Sequence, residues 1–185
     1  MTNTAYKLAT YEDLLSVPDT LVAEIIHGVL HTHPRPAPKH AWASSSLGFE
    51  VGSPYGKDSG DPGGWWILDE PECHFGDDIF VPDLAGWRKE RMPKLPETAW
   101  FELVPDWVCE VLSPSTARLD RAEKMPLYAS YGVEFIWLID PELKILEAYK
   151  NINEQWVLLK TLVNNKDVSL EPFDAISFPL GNLWG

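Results

Sequence analysis

Pro105-Asp106-Trp107-Val108-Cys109-Glu110-Val111-Leu112 opens the segment that decides the fold, and this segment ends at Asp140. Its first run is short and β-rich, as in a strand buried in a sheet. Asp120 can cap a helix that Gly132 ends, and the β-branched and aromatic residues from Val133 to Ile139 predict a second strand. A strand–helix–strand unit normally crosses over right-handed and makes its two strands parallel neighbours.

Glu110 is the unusual residue of this unit, because it is ionisable and lies within an apolar run. Strand alternation places it on one face with Val108 and Leu112, while the residues between them point the other way. An unpaired carboxylate on such a strand costs several kcal/mol or stays protonated. The sequence therefore predicts a compensating group beside Glu110, and a metal ion would serve.

Length and composition bound the class of protein. The 185 residues fit one domain, residues 1–185, and no stretch resembles an inter-domain linker. Nine tryptophans imply large buried surfaces or an interface, and we expect a homodimer. The longest clean apolar run is Phe135 to Ile139, and the N-terminus lacks a basic-then-apolar pattern. We therefore expect neither a signal peptide nor a membrane span.

The cysteines and the charge point to a cytoplasmic protein with few phosphate contacts. Cys73 and Cys109 make neither a disulfide framework nor a zinc site, and we expect both to be buried and reduced. The formal net charge is −13, which argues against strong non-specific nucleic-acid binding. One basic stripe stands out, and it is either a solvated loop or a phosphate-binding surface. Its residues are Arg88, Lys89, Arg91 and Lys94.

The remaining elements follow from periodicity and turn chemistry. Thr10 to Asp13 resembles a capping box and predicts a short helix. The composition of residues 53–64 predicts a loop, which lacks the Gly-Lys-Ser/Thr ending of a P-loop. The predicted helix is Ala41–Val51, and the predicted hairpins are Val22–Leu30, around His27-Gly28, and Ile145–Leu162, around Asn151 to Glu154. The predicted strands are Trp65–Leu68, Cys73–Phe75 and Ile79–Trp87. We expect Val168–Gly185 to form an irregular tail that packs on the domain or on a partner.

Two further groups leave alternatives open. Glu24 is either an exposed polar residue beside its hairpin or a residue that faces a cleft. His31, His33 and His40 are interrupted by prolines, and zinc would need tighter and more regular spacing. The proline-rich run is therefore better read as a loop than as a metal site.

Asp83 and Glu110 form the candidate chemical pair. Each lies on a predicted strand, and if those strands are neighbours, both carboxylates stand on one face. Carboxylates without nearby His or Cys suit a hard cation such as Mg²⁺. Lys124 shares a helical stripe with Asp120, so it either leans over Glu110 or makes a surface pair with Asp120.

The chain resembles the Uma-two family, within the PD-(D/E)XK restriction-endonuclease-like superfamily. The match is carried by Pro82-Asp83, Glu110-Val111-Leu112-Ser113-Pro114-Ser115, Asp120, Lys124, Tyr128, Gly132-Val133, Trp137 to Pro141 and Glu24 to Gly28. The resemblance implies an α/β (α+β) fold with a central mixed β-sheet flanked by helices. It also implies Mg²⁺- or Mn²⁺-dependent hydrolysis of DNA, with Asp83 and Glu110 as metal ligands. Leu112 stands where the superfamily has a lysine, and Lys124 is its natural replacement.

Three functions are compared on these residues. The first is an endonuclease in which Lys124 stabilises developing charge, Glu24 completes the site, and the basic stripe holds the DNA backbone. The second is a non-catalytic nuclease-fold protein that acts through protein or nucleic-acid binding, which the tryptophans and the acidic charge favour. The third is a carboxylate-pair glycosidase, which would need a sugar cleft and ranks last.

Overall fold

A six-stranded mixed sheet is the centre of the computed structural model, which describes residues 8–56 and 62–185. The strand order is β10-β9-β8-β7-β6-β3, with β7 and β8 parallel and the other neighbours antiparallel. The strands are β3 (Trp65–Asp69), β6 (Leu84–Arg88), β7 (Trp107–Val111), β8 (Phe135–Asp140), β9 (Ile145–Ile152) and β10 (Gln155–Val163). The mixed sheet expected from the resemblance is therefore confirmed.

The unit from β7 to β8 has the predicted strand–helix–strand order. Its helical segment comprises α3 (Ala117–Leu119), a π-helical turn (Asp120–Lys124) and α4 (Met125–Tyr131). Gly132 ends the segment with a φ of 90°, a conformation in which glycine has no Cβ penalty. Asp120 is not the helix cap: the helix begins at Ala117, and the Asp120 N–H donates to the Thr116 carbonyl at 2.9 Å.

A second sheet packs beside the helical segment, with the order β2-β1-β5-β4. The predicted single strand from Ile79 to Trp87 is wrong, because it divides into β5 (Asp78–Phe80) and β6, which belong to different sheets. Pro82 has no N–H for a sheet ladder, so pairing stops there. Asp83 consequently lies in the bend before β6 rather than on a strand. The other strands are β1 (Leu21–Ile26), β2 (Val29–Pro34) and β4 (Cys73–Phe75).

Two hydrophobic cores cover the two faces of the main sheet. One face of the sheet carries Trp107, Cys109 and Val111. Helix α2 (Pro38–Gly56) and the C-terminal segment (residues 168–185) cover this face. Val108 and Leu112 face the other core, which the helical segment and the second sheet complete. The predicted division of β7 into two faces is confirmed, and Glu110 belongs to the second face.

Several local predictions are confirmed, with longer elements than expected. Thr10 caps α1 (Tyr11–Leu15) in a capping box. Asn153 and Glu154 take positive φ angles at the β9–β10 turn, and the C-terminal segment packs on the domain through buried Phe173 and Phe178. Helix α2 extends to Gly56, so residues 53–56 are helical rather than part of a loop; residues 57–61 of that predicted loop lie outside the described residues.

Both cysteines are buried and free, as predicted. Within the described residues, no helix combines the length and apolarity that crossing a membrane requires.

Candidate functional site

Lys124 lies at the centre of a group of buried charges. Its ammonium Nζ is 2.7 Å from Glu110 Oε1, 2.8 Å from Glu24 Oε1 and 3.8 Å from Asp120 Oδ1. Together with Asp83, these residues are called here the acid–lysine cluster. Lys124 is only 2 % exposed, so the alternative of a surface pair with Asp120 is wrong.

The helical segment explains how Lys124 reaches the sheet. Asp120 and Lys124 are both buried members of the π-helical turn, four residues apart. A π turn inserts an extra residue into the helix and is frequent at functional sites. It therefore rotates the preceding turn relative to α4, with Lys124 and Tyr128 both facing β7.

The Glu110 carboxylate is paired with side chains of the protein. Its Oε1 accepts a hydrogen bond from the Tyr128 hydroxyl at 2.7 Å and pairs with Lys124. Burial, together with the nearby carboxylates of Asp120, Asp83 and Glu24, raises the pKa of Glu110 well above its ordinary value, and the charge of Lys124 offsets this only in part. The compensating group that the sequence predicted is thus at least in part Lys124.

Glu24 is buried, so the alternative of an exposed residue beside the hairpin is wrong. Its Oε1 accepts the Val81 N–H at 2.8 Å, and its Oε2 lies 3.5 Å from His33 Nε2. Burial favours the neutral acid, but Lys124, His33 and the Val81 N–H together lower the pKa of Glu24 to about 2. Oε2 is buried without a hydrogen-bond partner in the described part of the chain.

Asp83 is held through both carboxylate oxygens. Oδ2 accepts the Val111 N–H at 2.7 Å, and Oδ1 lies 3.3 Å from His40 Nε2 at the start of α2. Burial would lower the pKa of His40, but its hydrogen bond and charge interaction with Asp83 raise it above the ordinary value. Asp83 reaches β7 because β6 and β7 are neighbours with Leu84 opposite Cys109.

A cavity of about 250 Å³ opens at the end of β7 beside this cluster. Asp83, Glu110, Asp120 and Lys124 line it, as do His33 and His40. Its lining also includes Pro34 at the end of β2, residues 35–37 and the turn of residues 113–116. Residues that are far apart in sequence therefore line one cavity.

The donors of this cavity fit a hard divalent cation. The carboxylates around one ammonium leave an excess of negative charge, and Mg²⁺ prefers oxygen ligands. Among the residues that the structure describes, no group of three or more His, Cys, Asp or Glu side chains is arranged to hold a metal ion. Mg²⁺ does not need one, because it keeps several waters and usually takes one or two carboxylates.

The basic stripe lies away from this cavity. Arg88 is at the opposite end of β6 from Asp83, roughly 17 Å along the strand at the usual rise. Arg88 and Arg91 contact the buried Asp106 carboxylate at 2.7 and 2.8 Å. Lys89 donates to the Gly56 carbonyl and lies over the Trp66 ring, while Lys94 is exposed. DNA binding by the stripe stays a prediction.

His33 and His40 are the site residues that sequence reasoning missed. Their spacing suggests only a zinc site shared with His31, whereas the structure pairs each with a carboxylate of the acid–lysine cluster. His31 lines a different cavity. The available signal was a histidine close to each end of the proline-rich run, but only the fold shows which acid each histidine meets.

Comparisons with known proteins bear on the fold and on the family. A search of curated proteins finds no match. A solved structure described as a putative nuclease belonging to DUF820 from Anabaena variabilis is similar, with a TM-score of 0.76 and 23 % identity over 95 % of this chain and 97 % of that chain. At this identity the likeness shows the fold alone. The model of the Uma2 family, described as "Putative restriction endonuclease", matches residues 8–181, and the chain therefore belongs to the Uma2 family.

Proposed function

We propose that the protein is a metal-dependent endonuclease that hydrolyses DNA phosphodiester bonds with Mg²⁺ or Mn²⁺. The observation that carries this proposal is the acid–lysine cluster, with its buried ammonium, at a cavity of a restriction-endonuclease family fold. Buried charges with strongly shifted pKa values in a cavity are typical of functional sites.

Asp83 and Glu110 would hold the ion. Both line the cavity, and Glu110 interacts electrostatically with Asp83. A bound hard cation supplies positive charge at the phosphate and lowers the pKa of water.

Lys124 would stabilise the negative charge that develops on the phosphate. An ammonium has three donors, and two of them are directed at Glu110 and Glu24. Glu24 therefore acts as a positioning residue that fixes Lys124, and Tyr128 fixes Glu110 through its hydroxyl. A preorganised donor of this kind contributes without reorganisation during the reaction. His40 positions Asp83 in the same way.

Calorimetry with Mg²⁺, Mn²⁺ and Ca²⁺, combined with a DNA cleavage assay, tests this function. The wild type should bind a divalent ion and cleave DNA, whereas Glu110→Gln should do neither while remaining folded. Glu142→Gln is the control, because Glu142 is exposed and pairs with Lys39 on the surface. Unchanged Mn²⁺ affinity in Glu110→Gln would rule out the assignment of the ion to Glu110.

The basic stripe is proposed as an outer contact for the DNA backbone. Lys94 is exposed, and Lys89, which directly follows β6, is partly exposed. Phosphate neutralisation by such residues makes binding depend on salt.

A non-catalytic binding protein is the second candidate. Glu110 already has Lys124 and Tyr128 as protein partners, which supports a structural role for the cluster. This candidate predicts that calorimetry detects no heat of binding with any of the three ions and that no metal supports cleavage.

We also propose that two copies of the chain associate through β10. This strand is an edge of the main sheet, and Val157, Leu158, Leu159 and Val163 are exposed along it. A long apolar edge strand is prone to pair with another strand. Light scattering should show a dimer for the wild type and a monomer for Leu158→Lys; a monomeric wild type would contradict the proposal.

A further inference from the structure

Two cavities adjoin at the turn that follows β7. The first, of about 250 Å³, contains Asp83, Glu110 and Lys124. The second, of about 480 Å³, is lined by Arg118, His31, Val29 and Leu119, and also by His27 and Glu123, which pair with each other. Ser115 lines both, so a chain-like ligand that leaves the first cavity past Ser115 enters the second.

The reacting groups lie inside the first cavity rather than on the surface. Glu110 and Lys124 are each 2 % exposed, and the Asp83 side chain is 16 % exposed. A phosphodiester must therefore enter the cavity to meet them. In a duplex each phosphodiester is fixed to a stiff double helix, with a persistence length of about 50 nm. A single strand can bend and direct one phosphodiester inward.

The rim of the first cavity is held in place. Pro34, Pro36 and Pro114 restrict the backbone around it, because proline fixes φ. The Ser113 hydroxyl is hydrogen-bonded to the hydroxyls of Ser115 and Thr116 at 2.9 and 3.0 Å. The turn between the two cavities is therefore stabilised by its own side chains as well as by Pro114.

The second cavity has the surfaces that a single strand needs. Arg118 is exposed, and it forms no ion pair within residues 8–56 and 62–185. It can therefore contact a phosphate without losing a protein partner. The His31 imidazole and the apolar side chains of Val29 and Leu119 offer surfaces for bases, and single-strand binding generally combines cationic grooves with ring stacking.

We propose that the site acts on single-stranded DNA, which passes from the first cavity over Ser115 into the second, where Arg118 binds its backbone. This inference rests on the proposed endonuclease function. It names single-stranded DNA as the substrate class of that same site. It also distinguishes the path of the DNA through the two cavities from the basic stripe, which would contact DNA outside them.

Binding anisotropy without divalent metal tests the path. The probes are a labelled single strand, the same strand annealed to its complement, and the same sequence as RNA. The single strand should bind more tightly than the duplex, and Arg118→Ala should lower its salt slope by roughly 0.7, the value for one single-strand phosphate contact. Arg121→Ala is the matched control, because Arg121 follows three residues later and pairs with Glu147.

Cleavage of the same probes in Mn²⁺ separates this inference from the proposed function. Faster cutting of the single strand, reduced in Arg118→Ala at low DNA concentration but not in Arg121→Ala, supports the path. Equal or faster cutting of the duplex or of the RNA overturns the inference and leaves phosphodiester hydrolysis standing. Preferential single-strand cutting that Arg118→Ala does not alter overturns the path. Absence of cleavage of every probe removes both proposals.

Discussion

The acid–lysine cluster and the basic stripe both bring several charges together, but their environments differ. In the cluster, Glu24, Glu110 and Lys124 are almost completely buried, and the Lys124 ammonium lies 2.7 Å from Glu110 and 2.8 Å from Glu24. In the stripe, Arg88 and Arg91 are partly exposed and share the buried Asp106. Charges interact far more strongly away from water. Changing one charge should therefore have much larger consequences at the cluster than at the stripe.

This contrast shows which charge patterns in a sequence indicate a buried charged cluster. The stripe is conspicuous in sequence because its cations are adjacent, yet two of them stabilise a sheet end through Asp106. The cluster is inconspicuous, because its members come from β1, the bend before β6, β7 and the helical segment. A single charge in an apolar strand is the stronger signal, since burial makes it costly without partners.

The largest expected effect is that of removing the buried ammonium. Lys124→Met should lower the free energy of unfolding by about 3 to 5 kcal/mol, the usual cost of leaving buried charges unpaired. Urea unfolding at neutral pH measures this loss. Arg121→Met is the control on the same helical segment, and its exposed pair with Glu147 should contribute less than about 1 kcal/mol.

A triple variant identifies the cause of that loss. Adding Glu24→Gln and Glu110→Gln to Lys124→Met should recover much of the stability, because no buried carboxylate then faces a missing partner. If the triple variant stays as unstable as Lys124→Met, the loss comes from packing of the lysine stem and the charge argument fails.

Asp120 should give the cluster a stability that falls as pH rises. Burial raises the pKa of Asp120 to about 6, partly offset by Lys124 and by Thr116. Between about pH 4 and 6 the folded state therefore binds more protons than the unfolded state, so stability decreases with pH across this window. Asp120→Asn should make this decrease shallower, with Glu110, whose pKa is also raised, supplying the rest, and should raise the free energy of unfolding at pH 7 by about 1 to 3 kcal/mol.

Urea unfolding at intervals from pH 4 to 7 measures the effect of Asp120. Glu123→Gln, on the same π-helical turn but half-exposed, should retain the pH profile of the wild type. Glu24 acts in the opposite sense and at lower pH: its pKa of about 2 means that its contribution is lost as pH falls below its unfolded value. An Asp120→Asn profile that matches the wild type between pH 4 and 6 would contradict the assignment of a raised pKa.

The stripe should show smaller effects, led by Arg88. Its guanidinium donates to Asp106 at 2.7 Å and to Glu134 at 2.8 Å, while Arg91 and the Arg88 N–H still contact Asp106. Arg88→Ala should therefore lower the free energy of unfolding by about 1 kcal/mol, the usual size of a net hydrogen-bond contribution. Thermal unfolding at low and high salt measures it; a loss as large as that of Lys124→Met would mean that the two regions do not differ.

The sequence predicted those parts of the fold and site that depend on local pattern. The apolar runs predicted β7 and β8, and Gly132 predicted the end of the helix. Strand alternation placed Glu110 and Cys109 on opposite faces of the sheet. These features need only residues close in sequence. Asp120 failed as a cap because Thr116 and Ala117 start the helix earlier, and Ser-Pro-Ser-Thr offers several possible starts.

Long-range partners could not be predicted from pattern. Nothing local indicates that His40, at the start of α2, meets Asp83, or that Glu24 reaches Lys124 a hundred residues away. These contacts depend on how the second sheet and α2 pack against the main sheet. The bend at Asp83 shows the same limit, because Pro82 was visible in the sequence but the change of sheet was not.

Lys94 should give the smallest effect and the clearest test of the stripe as a DNA surface. Because Lys94 is exposed, Lys94→Ala should change the free energy of unfolding by less than about 0.5 kcal/mol. If it contacts a phosphate, the salt slope of DNA binding should fall by roughly 0.7 to 0.9, while cleavage of bound DNA stays as in the wild type. The slope from anisotropy at several salt concentrations decides this. An unchanged slope would leave the stripe as a solvated surface, and the difference between the two charged regions would then extend from stability to function.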